Sequence, residues 1–180
     1  MLHFLVILIL LLTPLNAASK KKTRPLYFLS VKYDMNPKLQ NNFEISINAD
    51  NTSINILFDL REDLDNIWGS TNILIWLKNL KAYKQIITYD VNVCYHLQRG
   101  KMEKTNIFNV WMQNILKFSN ITKSCPVVKN IYYVSNLKPD KDSIPPFTPA
   151  GRCRLLTSMY TNRSGFKEAI GSAEIDIELK

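Results

Sequence analysis

An all-β fold, a β-sandwich or cup of about eight antiparallel strands with one helix over residues 106–118, is what this sequence predicts. Three observations lead to it. Several short runs alternate apolar and polar residues with a period of two. A single stretch recurs instead at helical spacing. The chain has 180 residues, 46% hydrophobic and 21% charged, which suits one globular domain and excludes wholesale disorder.

The first segment stands apart. Leu2 to Leu12 are almost purely apolar, Pro14 breaks the run, and Ala17, Ala18 and Ser19 follow. Such a run is too short to span a bilayer and suits a signal-peptide core. We therefore expect a signal peptide over 1–17, cleaved after Ala17 or Ala18, a basic tail over 18–25, and one domain over 26–180. The rival reading, a membrane anchor, is disfavoured because Thr13, Pro14 and Asn16 end the run early.

Within the domain, Tyr27, Leu29, Val31 and Tyr33 form a first alternating strand. Phe43, Ile45 and Ile47 alternate with Glu44, Ser46 and Asn48; Ala49-Asp50-Asn51 reads as a turn; Ile54, Ile56, Phe58 and Leu60 alternate again. This is a hairpin with one buried and one wet face. Ile73 to Leu77 is apolar on both faces and reads as a central strand. Ile86 to Leu97 reads as a strand whose core face carries Tyr89, Val91, Val93 and Tyr95. Ile107, Trp111, Ile115 and Phe118 then recur at helical spacing, with Thr105 able to cap the start. Ile131 to Val134 and Leu155 to Tyr160 are strand-like, Pro139 to Pro149 is a loop, and Ile175, Ile177 and Leu179 close the chain against Glu174, Asp176 and Glu178.

Charge and chemistry exclude more than they assign. The net charge is +8, and Lys20, Lys21, Lys22 and Arg24 supply half of it. The remaining excess is too small for a nucleic-acid face. Neither G-x-G-x-x-G nor a P-loop occurs, and the only histidines are His3 and His96, so multi-histidine metal sites are excluded. His96 and Asp90 would need a serine in a nucleophile elbow to make a triad, and no G-x-S-x-G is present. Asp59, Glu62, Asp63 and Asp65 read as a solvated loop rather than a glycosidase pair. No enzyme, cofactor or metal is expected.

Three cysteines, Cys94, Cys125 and Cys153, permit at most one internal bridge. A bridge between Cys94 and Cys125 would tie the end of the helix to the outer side of the Ile86 to Leu97 strand, because Cys94 is out of phase with its core face. Sequons begin at Asn51, Asn120 and Asn162, and Asn51 and Asn162 fall in predicted turns.

The ordered set Cys94-Tyr95-His96-Leu97, Phe118-Ser119-Asn120, Cys125-Pro126 and Pro149-Ala150-Gly151 resembles a large insect family of secreted proteins. It is an uncharacterised-domain family that includes chemosensory proteins of the A and B types, itself similar to the ML lipid-recognition fold of the ganglioside-activator protein. The resemblance covers residues 83 to 160. It implies a sandwich with an apolar cavity for lipid-like ligands and, for some members, a role in contact chemosensation such as pheromone response. Cys94 and Cys125 match the family's motif, so they are the expected disulfide, leaving Cys153 free or paired between chains. Two positions depart from the pattern: Cys153 stands where an aromatic is usual, and His96 where Phe is usual.

These readings converge on a secreted, extracellular binding protein without stable membrane insertion. Its ligand would be a hydrophobic small molecule or lipid, and a cell-surface receptor is a further partner. Phe28 or Leu29, Ile45, Phe58, Ile75, Tyr89 and Val91 are expected to enclose the cavity, with Trp111 near its mouth. The alternative is an interaction module with a filled core that binds a receptor or glycan by its surface.

Overall fold

The structure is a computed structural model, described over residues 24–98, 107–139, 144, 148–163 and 165–180. The expected signal peptide, most of the basic tail, the capping Thr105, the helix's first residue Asn106, the Asp140 to Phe147 part of the loop other than Ile144, and Ser164 of the third sequon lie outside these residues.

The chain is mostly antiparallel β. The order is β1 (Leu26–Met35), β2 (Gln40–Ile47), β3 (Ile54–Leu60), β4 (Ile67–Leu77), β5 (Ala82–Asn92), α1 (Val93–Gln98), α2 (Ile107–Lys117), β6 (Ile131–Leu137), β7 (Gly151–Arg163) and β8 (Phe166–Leu179). Five strands pair in the order β1-β8-β7-β4-β5, and three in the order β2-β3-β6. The expected hairpin is β2–β3, and Asn51 in its turn adopts φ 56°, a left-handed conformation that Asn tolerates. β4 is interior, flanked by β5 and β7, as its two apolar faces require.

β8 shows how alternation becomes packing. Ala173, Ile175, Ile177 and Leu179 are buried, while Glu174 and Asp176 face outward. On that wet face Arg154 of β7 pairs with Asp176 at 2.7 Å and with Glu174 at 3.0 Å. Ser30 and Tyr83 also donate to Asp176. The last two residues of the expected tail belong to the domain: Arg24 donates to the Thr148 carbonyl, and the Pro25 carbonyl accepts the Lys180 N–H.

Four expectations are corrected. Leu29 is not inward: the β1–β8 register shifts between Phe28 and Ser30, so Phe28 is buried and Leu29 is 44% exposed. The strand expected to run to Leu97 stops at Asn92, and Val93–Gln98 is α1. Asn92 caps it, its side-chain oxygen accepting the Tyr95 N–H at 2.9 Å. Tyr95 consequently leaves the core face and is exposed, while Cys94 is buried on a helix rather than turned outward from a strand. Asn162 lies in β7, paired with Lys167, and not in a turn.

The interior divides into two clusters. The first gathers Leu39, Leu60, Leu64, Ile67, Val93, Leu97, Val127, Tyr132 and Ile170, with Met112 and Leu116 of α2 packed on it. Cys94 and Cys125 are joined within this cluster, Cα atoms 5.5 Å apart, which pins α1 to the segment after α2. The second gathers Phe28, Ile45, Ile54, Cys153, Ala173, Ile175 and Ile177.

The sheets are unequal, and this positions the site. Five strands span about 19 Å across their hydrogen bonds and three only about 10 Å. The difference is close to the width of one helix, about 10 Å. α2 lies beside β6, the free edge of the smaller sheet. Residues 118–120 seal that edge: Ser119 bridges Val134, the Phe118 carbonyl accepts the Ser135 N–H, and the Asn120 side chain bonds both the Ile131 carbonyl and the Tyr133 N–H.

Candidate functional site

The inner face of the larger sheet can be read row by row from its register. One row is Ile75, Cys153, Ile177 and Phe28; the next is Ile87, Ile73, Leu155, Ile175 and Val31. The third is Tyr89, Thr71, Thr157, Ala173 and Tyr33, and its interior positions carry small side chains. The fourth is Val91, Gly69, Met159, Gly171 and Met35, glycines alternating with large side chains. The floor of the sandwich is thus bulky under the second cluster and low at the third row beside it.

Across from this floor stands β3, the middle strand of the smaller sheet. Its inward Ile56 and Phe58 are only half-buried, and so are Thr71, Leu155 and Thr157 of the larger sheet. Middle-strand residues on inner faces are ordinarily the most enclosed in a sandwich. Phe58 stacks on Tyr132, ring centroids 5.1 Å apart, and Tyr132 is fully enclosed with its hydroxyl donating to the Val128 carbonyl.

The predicted ligand residues do not form one group. Phe28 and Ile45 are buried in the second cluster, and Ile75 packs against it. Phe58 packs on the first. Tyr89 and Val91, half-buried on edge strand β5, belong to neither, and Trp111 is half-buried on α2. The sequence reading missed Thr71, Thr157 and Leu155. It also missed Met112 and Leu116, whose spacing in the helical stretch was the available signal.

Other polar side chains are committed to structure. Glu62 pairs with Arg163 at 2.6 Å, Asp63 accepts the Lys129 N–H, Asp59 accepts from Asn41, and Asp90 accepts the Tyr160 hydroxyl. Cys153 is a free thiol, 3% exposed, and burial pushes its pKa up. Asn51 and Asn120 are exposed, and Asn162 is half-buried. Among the described residues, buried amide oxygens without a hydrogen-bond donor include Gln40 Oε1 and Asn114 Oδ1.

A shallow depression of about 410 Å³ lies on the larger sheet, lined by wet-face residues such as Lys32, Asp34, Ser158 and Glu174 and also by Tyr33, Thr157 and Ala173 of the third row. None of the predicted ligand residues lines it.

No helix among the described residues is long and apolar enough to cross a membrane. No curated protein matches the chain. The family described as "Protein of unknown function (DUF1091)" matches residues 71–155, just under half of the chain, from the inner-face Thr71 through both bridged cysteines and α2 to Leu155.

Proposed function

We propose that this chain is a secreted, non-enzymatic binding protein that carries or presents a hydrophobic, lipid-like ligand between its two sheets, with α2 as the side wall. The observation that carries the reading is the incomplete burial of inward Ile56, Phe58 and Leu155 on the middle strands of both sheets. Apolar surface left open inside a sandwich is unfavourable unless something covers it. The apolar leader, the disulfide and the three sequons support secretion. The chemosensory-family resemblance adds contact chemosensation or pheromone response as the setting, with a cell-surface receptor as a further partner.

An environment-sensitive fatty-acid probe tests this. Each buried CH₂ contributes about 0.8 kcal/mol, so affinity should rise up to about fourfold per methylene until the space is filled. It should depend little on salt. Absence of saturable binding at any chain length refutes the reading.

A second reading, a filled module that binds a receptor or glycan by its surface, is favoured by one observation: the depression on the wet face, which charged Lys32, Asp34 and Glu174 rim. Asp34→Lys and Ser158→Arg would impair that function and leave probe binding unchanged.

A further inference from the structure

We infer that the ligand is anchored by a hydrogen bond donated to Asn114 Oδ1, and therefore that its polar head carries a donor, a hydroxyl in the simplest case. This rests on the carrier reading above and deepens it. Asn114 is 7% exposed. Its Nδ2 donates to the Lys138 carbonyl at 2.6 Å, which fixes the orientation of the amide, because only the nitrogen can donate to a carbonyl. Oδ1 is then the buried atom with no donor. Buried acceptors are ordinarily satisfied, and leaving one empty is costly.

Its place in the fold makes it an anchor. At about 100° per residue, the arc of α2 opposite exposed Gln113 and Lys117 is centred on Trp111 and Ile115. Met112 and Leu116 reach the first cluster from one shoulder of that arc. Asn114 sits on the other shoulder and joins α2 to the end of β6, whose Leu137 packs on the second cluster. Half-buried Trp111, three residues before it on α2, and Phe118, just past the helix end, flank it. A lone acceptor between aromatic neighbours suits an amphiphile whose tail lies among apolar side chains and whose head donates one hydrogen bond.

The test uses two isomers displacing the fatty-acid probe from the folded, secreted protein: dodecan-1-ol, which can donate, and 1-methoxyundecane, which cannot. The wild type should bind the alcohol about five- to tenfold more tightly, the effect of one buried hydrogen bond. Asn114→Leu should reduce that preference below about twofold with ether affinity unchanged. If Asn114→Leu does not fold, Asn114→Ala gives the same comparison. Equal affinity of the isomers for the wild type means that the oxygen is served by a trapped water, and overturns the assignment while leaving the carrier reading intact. An alcohol preference that survives both substitutions also overturns it. If neither isomer displaces the probe, both readings fail.

Discussion

Phe58 and Tyr132 stack face to face across the β3–β6 pair, yet Tyr132 is fully enclosed and Phe58 is not. One ring lies inside the first core cluster; the other packs on it from outside and stays half-buried. Tyr132→Ala should cost about 3–5 kcal/mol, the loss of a buried ring. Phe58→Leu should cost less than about 1.5 kcal/mol and still weaken probe binding severalfold. Urea unfolding and probe titration separate the two. Equal destabilisation by both variants would make Phe58 plain core.

The Cys94–Cys125 bridge closes a loop of 31 residues. On the chain-entropy account it stabilises the fold by about 3.7 kcal/mol. Reducing it should free α1 from the segment after α2 and lower the urea midpoint while leaving the larger sheet paired. Far-ultraviolet circular dichroism at intermediate urea should show β structure outlasting helix; simultaneous loss would contradict this.

Asp176 is held below the ordinary carboxylate range, first by its hydrogen bonds from Arg154. A depressed folded pKa means that its stabilisation is complete above that range and is lost as pH falls through the folded value. Arg154→Gln should therefore cost about 1–2 kcal/mol at neutral pH. The gap from wild type should begin to narrow near about pH 4 and close as pH falls through the lower, folded value. A gap independent of pH would mean that Arg154 acts by packing on Tyr83, whose ring its guanidinium covers at 4.4 Å.

Cys153 lies between Ile75 and Ile177 on the inner face, and burial raises its pKa. A buried thiol of raised pKa reacts slowly. Native protein should show almost no titratable thiol, and unfolded protein one per chain. A covalent dimer on a non-reducing gel, the outcome left open by the odd cysteine count, is not expected.

What could be read from the residues was the part written in long, regular patterns. The β2–β3 hairpin, the β8 alternation and α2 each repeat a single period over several turns or pleats. The misreadings lie where a period continues past the structure that made it. Val93 and Tyr95 extend the β5 alternation by two positions, and only the capping Asn92 marks the change to α1. At Phe28 one irregular residue shifts every later side chain of β1 to the other face, so Leu29 was misassigned. The candidate site was half legible for a different reason. Pattern reading finds large apolar residues, and it puts Phe58, Tyr89 and Val91 on inward positions of β3 and β5, though Tyr89 and Val91 join neither core cluster. The low floor at Thr71 and Thr157 exists only through the pairing of β4 with β7, which no local pattern contains.

The most direct test of ligand carriage is native mass spectrometry of the protein secreted by insect cells, before and after incubation with dodecan-1-ol and longer alcohols. The carrier account predicts a one-to-one adduct of lipid mass that leaves on organic extraction and returns on incubation. A protein that carries nothing as secreted and takes up none of the alcohols, while remaining folded, would contradict it.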